Sequence, residues 1–278
     1  MTHVAVVGHV EWITFARVDQ VPIAGAIAHA SATWSGAGGA GGVAARQLAK
    51  LAGWCDFFCA LGDDDVGKRA RTELVTDGVR VHAATRATST RQGICLIDRS
   101  GERTITTLGP RHEARGSDPL PWDRVADADA VYVTAGDEEA LLRARTAGIV
   151  VVSLRHLSTL AASGIQADAV VGSGRDPAER YDPDRLQHAP PKLVVQTEGA
   201  AGGRYRQADG REGRYAPVPP PGPISDTYGS GDSFHAALTF ALGTGYEVTR
   251  ALELAARCGA AALTGRGPAD GQLTAAEL

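Results

Sequence analysis

A chain of 278 residues, 44% of them hydrophobic and only 5% aromatic, is long enough to bury a sizeable core. Its formal net charge of -4 and scattered arginines argue against a protein that binds nucleic acid by neutralising phosphates, which needs a basic field or stripe. No apolar run reaches the roughly 18 residues of a membrane span, and the opening MTHVAVVGHVEW lacks the basic and apolar regions of a signal peptide, so the expected location is the cytoplasm.

Taken in chain order, residues 4–8 (VAVVG) are a continuous apolar run closed by glycine, as in a strand buried on both faces of a parallel sheet. Residues 55–62, 130–136, 148–154, 168–173 and 192–199 read the same way. Helix-like segments lie between most of them, at 42–52, 67–76, 138–146 and 157–163, and residues 232–242 and 248–263 form two Ala-rich helices near the end. This alternation predicts an α/β fold with a largely parallel sheet covered on both faces. Residues 26–34, 93–98 and 102–109 instead alternate apolar with polar, the pattern of strands with one wet face. They are expected to form a small antiparallel sheet projecting like a lid, from about 9–36 and 85–109, on a single domain spanning 1–278. Residues 216–223 (APVPPPGP) predict a stiff connector.

Gly36, Gly38 and Gly41 spell G-x-G-x-x-G before a helical run, with Asp63 further on. In a dinucleotide-binding domain that fingerprint follows the first buried strand. Here the first buried strand is followed by GHVEW, and the glycines follow a half-wet strand, which leaves a nicotinamide-dependent oxidoreductase disfavoured. Cys55, Cys59, Cys95 and Cys258 lack the spacing and histidine partners of a zinc site and read as buried reduced thiols. The acids of GDDDVG, 62–67, read as a helix cap rather than a metal cluster.

The informative stretch is SDTYGSGDSFHAALTFALGTG, 225–245. Gly229, Ser230 and Gly231 lead into a helix, and successive N–H groups at a helix start form a concave anion site. Asp232 stands at that same start, where it is either an N-cap or the carboxylate that takes a proton from an attacking hydroxyl.

The pattern DTYGSGDSFHAALTFAL resembles the C-terminal signature of the ribokinase-like (PfkB) family of sugar and nucleoside kinases, and the resemblance extends from VVGHVEW to LTGRGPADGQL. It implies a three-layer α/β/α domain with a β-sheet lid that transfers the γ-phosphoryl group of ATP, with Mg²⁺, to a hydroxyl of a small sugar-like or nucleoside acceptor. It implies Asp232 as catalytic base, Gly229, Ser230 and Gly231 as anion hole, and Asp226 near the metal and phosphates. Thr197, Gly199, Gly202 and Gly267 are implied at the nucleotide, with Asp176, in SGRD, where the family carries an acid around the magnesium. Gly38, Gly39 and Gly42 are implied at the acceptor. Two departures stand out there: glycine occupies position 42 where an Asn is usual, and Ile13 falls where an acid is usual, so Glu11 is the substitute. Trp12, Trp34 and His9 also flank the presumed acceptor site, with packing as the alternative. A monovalent cation and pairing of lid edges into a homodimer are left open. The other reading is a kinase-like protein that binds a sugar or nucleotide without turnover.

Overall fold

The computed structural model describes residues 2–278. In chain order it begins with β1 (Val4–Val7), β2 (Glu11–Arg17), β3 (Ala32–Gly38), α1 (Ala40–Ala52), β4 (Cys55–Gly62), α2 (Asp65–Thr76), β5 (Val79–Arg86), β6 (Gln92–Ile97) and β7 (Arg103–Leu108). There follow α3 (Asp123–Ala126), β8 (Ala130–Val133), α4 (Glu138–Ala144), β9 (Ile149–Ser153), α5 (Leu157–Ser163) and β10 (Ala169–Ser173). The last elements are β11 (Leu193–Thr197), β12 (Gly203–Gln207), β13 (Glu212–Tyr215), α6 (Ser230–Gly243) and α7 (Val248–Ala262).

Nine strands form one sheet in the order β13-β12-β11-β10-β9-β8-β1-β4-β5. All pairs are parallel except those made by β12 and β13, which close one edge as an antiparallel hairpin. The apolar runs were legible as strands because both faces of each are covered. In β1, Val4 and Val6 pack on the side of α1, α6 and α7, while Ala5 and Val7 pack on the side of α3, α4 and α5. The same alternation divides Phe57 from Phe58 in β4 and Tyr132 from its valine neighbours in β8.

A second sheet of four strands, ordered β3-β2-β6-β7, is the lid. It is mixed rather than wholly antiparallel, since β2 and β6 run parallel. The strand read across residues 26–34 begins only at Ala32. The preceding segment is not a strand, and its Ile23 and Ile27 are exposed, because no neighbouring strand pairs with it. The lid's base is apolar: Ile13, Phe15, Cys95 and Ile97 bury against Val43 and Tyr228 of the main body. Ile13 is fully buried in that cluster, so the absent acid is replaced by a core residue.

Asp64 of GDDDVG caps α2 by accepting from the Gly67 N–H at 2.7 Å and also holds Thr90. All four cysteines are free and buried, and burial pushes the Cys59, Cys95 and Cys258 thiols up to about 12. Among the described residues no helix is long and apolar enough to cross a membrane.

Candidate active site

The parallel strands β1, β8, β9, β10 and β11 all end on the same side, where an open α/β sheet places its ligand crevice. The lid and the start of α6 close over that edge.

At its centre, Gly229 precedes α6 with φ +77°, a left-handed conformation that turns the chain sharply into the helix. The N–H groups of Ser230, Gly231 and Asp232 open the first turn, where helix geometry gives them no intrahelical partner. A Cβ added at Gly231 would meet nothing within 4 Å, so the backbone there faces open space. The Ser230 hydroxyl does not face the cleft; it donates to the Gly259 carbonyl at 2.9 Å and binds α6 to α7. This leaves Gly231 and the helix-start N–H groups as the part of the turn that faces open space.

Asp232 is half-buried and makes no side-chain cap bond. Burial raises its carboxyl to about 6, opposed by the guanidinium of Arg103 and assisted by the charge of Glu179. A carboxyl raised toward neutrality is one that can exchange a proton near physiological pH. Arg103 reaches from β7 of the lid and donates to the Thr227 carbonyl at 3.0 Å, so the lid touches the loop that leads into α6.

Asp226 is fully buried; its oxygens accept from the N–H groups of Tyr228 at 2.9 Å and Gly267 at 2.8 Å. It ties the loop before α6 to the loop at 265–268 rather than facing a ligand. Gly267, with φ +67°, lies against the Trp34 indole, which stacks on Phe15. Trp34 is thus part of the packing under the lid, and Trp12 packs against the main core with Arg69 over its ring.

Gly38 and Gly39 are required by close approach. A Cβ at Gly38 would fall within 2.3 Å of the Tyr228 hydroxyl, and the Gly39 N–H donates to that hydroxyl at 2.8 Å. The glycine motif therefore docks on the loop before α6. Gly42 does not point into the cleft: a Cβ there would meet Val10 and Leu74 of the core. The residue that turns from α1 toward Gly229 is Val43, whose Cγ1 is 2.9 Å from the place of a Gly229 Cβ. Glu11 is buried at the start of β2, and its Oε1 pairs with Arg91 at 3.2 Å.

Thr197 ends β11, and its carbonyl accepts from the Gly174 N–H at 2.8 Å. Gly199 and Gly202 both have positive φ in the turn that follows, and the Arg175 guanidinium lies over Gly199. These residues form one rim beside the end of β10.

On that rim stands a second acid, Glu179, which the sequence reading did not single out. Asp176 caps the short turn at Pro177–Glu179 and pairs with Arg155 at 2.5 Å, facing outward. Glu179 accepts from the Ser173 N–H at 2.6 Å, pairs with Arg155 at 2.6 Å, and its charge acts on Asp232. Both carboxylates therefore hold the same guanidinium, Asp176 from the more exposed side. Among the described residues no group of three metal-binding side chains could hold an ion alone. Mg²⁺ needs no such cage, since it binds through one or two carboxylates together with substrate phosphates and water. Glu179 fits that part.

Residues 1–275 match the model of the pfkB family carbohydrate kinases. The chain belongs to the PfkB family. It is accordingly a phosphotransferase with an alcohol group as acceptor. It is 31% identical over 281 residues to an ATP-dependent ribose-1-phosphate kinase of Halopiger xanaduensis, an alignment that covers 94% of this chain and 91% of that protein. The PfkB fold is also that of Thermotoga maritima ribokinase, with TM-score 0.80 at 18% identity over 100% of this chain and 98% of that one. Arabidopsis thaliana ribokinase, solved with ribose and ATP, matches at TM-score 0.76 and 19% identity over 100% and 97%.

Proposed function

We propose that this PfkB kinase transfers the γ-phosphoryl group of ATP to a hydroxyl of a small sugar-like acceptor, with Asp232 as the base. The observation that carries the reading is the half-buried Asp232 carboxyl, raised to about 6, at the same helix start whose N–H groups open onto free space at Gly231. The helix start binds the moving phosphoryl group and offsets its charge, and Asp232 takes the proton from the attacking hydroxyl. Arg103 brings a lid cation to the same place. Thr197, Gly199 and Gly202 line the nucleotide side, with Asp226 and Gly267 shaping the loop beneath it. Bound Mg²⁺ would be held by phosphate oxygens and Glu179, and it supplies further neutralisation of phosphate charge. Glu11 with the backbone at Gly38 and Gly39 forms the acceptor side. The name of the Halopiger relative suggests that the acceptor is already a sugar phosphate.

An assay of ADP release from MgATP over a panel of sugars, sugar phosphates and nucleosides tests this. Turnover of at least one acceptor is expected; binding of ligands with no ADP release from any of them would favour the reading without catalysis.

We also propose that the lid pairs with a second copy. The β7 edge is open, and Ile94, Ile105 and Leu108 of β6 and β7 are exposed.

A further inference from the structure

Three buried polar atoms at the acceptor side have no hydrogen-bond partner within the protein: His9 Nδ1, Arg91 Nε and His156 Nε2. They come from separate elements. His9 lies in the loop after β1, Arg91 immediately precedes β6 of the lid, and His156 closes the turn after β9. Arg91 is held from two sides, paired through Nη1 with Glu11 at 3.2 Å and donating through Nη2 to Thr107 Oγ1 at 2.6 Å. Its Nε–H is left over. Arg111, in the segment after β7, pairs with Glu113 at 3.2 Å. The carboxylates Glu11 and Glu113 thus fix these two cations at one edge each. Glu11 Oε1 also lies 3.7 Å from His9 Nε2, so one carboxylate stands among the cations. Burial first, and then the charges of Arg111, Arg91, His156 and Arg155, lower the His9 ring to about 3. Glu11 joins this cluster to the reaction centre, since it pairs with Arg91 and its charge also acts on Asp232.

A neutral polyol does not require such a cluster. A buried guanidinium with a free N–H carries a desolvation cost that a neutral hydroxyl offsets only in part. A phosphate accepts from guanidinium through short, charge-assisted and bidentate hydrogen bonds. We infer that Arg91 and Arg111, with the rings of His9 and His156 beside them, form an anion subsite that holds a phosphate monoester on the acceptor, so the substrate class is a phosphorylated sugar. The inference rests on the kinase reading above and extends it to the acceptor's far end: the phosphate lies against Arg91 and Arg111 while the hydroxyl to be phosphorylated faces Asp232.

The test uses the intact protein with D-ribose, ribose 1-phosphate, ribose 5-phosphate and D-gluconate as probes. Calorimetric titration without nucleotide should show a sugar phosphate binding at least ~100-fold more tightly than ribose, because a site built for a polar group rejects the analogue lacking it. Arg91→Gln and Arg111→Gln should each weaken that binding by roughly 10- to 100-fold, the effect of losing a hydrogen bond to a charged group. Where ADP release is measured, KM for the sugar phosphate should rise with kcat nearly unchanged, and Arg91→Lys should restore part of the loss. Retained MgATP-induced stabilisation shows that the variants are folded. Should Arg91→Gln not fold, the more exposed Arg111→Gln carries the test. Equal affinity for ribose, preference for D-gluconate, or unchanged affinity in Arg111→Gln would overturn the subsite. Tight sugar-phosphate binding lost in the variants, but with no ADP release, would sustain the subsite and overturn the kinase mechanism instead.

Discussion

In the mechanism we propose, Asp232 is the residue on which the chemistry turns. A hydroxyl is a poor nucleophile at neutral pH, and a positioned base contributes a factor of ~10²–10⁴ to the rate. Asp232→Asn keeps the shape of the side chain, and Asp232 makes no cap hydrogen bond whose loss would unfold α6. We expect kcat to fall by about that factor, with MgATP affinity and thermal stability close to those of the wild type. A substrate-saturated assay checks this, and an unchanged kcat would reduce Asp232 to a helix-end residue. The same carboxyl sets the pH profile. Its pKa is raised to about 6, and only the ionised form accepts a proton, so kcat/KM should be level above that value and fall as pH drops through it. A profile of kcat/KM from pH 5 to 9 with no acidic limb near 6 would contradict the assignment.

At the scale of elements, the start of α6 and the joint between α1 and α2 do different work. Gly231 faces open space, so Gly231→Val should fold normally and obstruct the anion site, weakening MgATP by roughly 10- to 100-fold as charge-assisted bonds are lost. Gly229 is different: its φ is +77° and a Cβ would stand 2.9 Å from Val43, so Gly229→Ala should cost about 1–3 kcal/mol of stability instead. Comparing the pair by calorimetry and thermal melts separates an open ligand surface from a strained turn. Arg46 is fully buried on α1, pairs with Glu73 at 2.6 Å and Asp77 at 2.5 Å, and donates to the Ala37 carbonyl, fastening α1, α2 and β3 together. Removing one partner of a buried pair leaves uncompensated charge. The carboxylates are about one-third exposed, so Arg46→Ala is expected at the lower end of that effect, about 3 kcal/mol by urea denaturation at constant m-value. A loss well under 1 kcal/mol would mean that solvent already screens the joint.

The whole molecule is a sheet edge closed by a lid, and its ligand response follows from that form. A ligand that binds only the native state stabilises it by mass action, about 2.7 kcal/mol at 100 times its Kd. MgATP should therefore raise the melting temperature, while NAD should not, because the glycine cluster at Gly38 and Gly39 is spent on the Tyr228 loop and no glycine fingerprint follows β1. A shift with NAD and none with MgATP would overturn the nucleotide assignment. Lid pairing predicts a concentration-dependent dimer in sedimentation analysis that Ile105→Lys, on the exposed β7 edge, disrupts without altering MgATP stabilisation.

The sequence by itself determined the parallel core, because strands buried on both faces must be apolar throughout, and β1, β4, β9 and β10 show that without regard to their neighbours. It did so less well at the edges. β5, β12 and β13 have one wetter face, so no apolar run announces them. It also determined the start of α6, since a glycine turn followed by an acid and an apolar helix is a local arrangement with local consequences. What only the tertiary structure decided is which side chains meet. Glu179 is the more buried of two acids that hold the same Arg155, and its charge acts on Asp232, which the local pattern around Asp176 does not reveal. Val43 rather than Gly42 faces Gly229 because the helix phase of α1 is set by its docking on Val10 and Leu74. His9, Arg91, Arg111 and His156 lie far apart in the chain, and each alone reads as an ordinary polar residue. In the subsite we infer, lid and sheet edge contribute them jointly, and electrostatic character of that kind depends on distance in space, which no local pattern encodes.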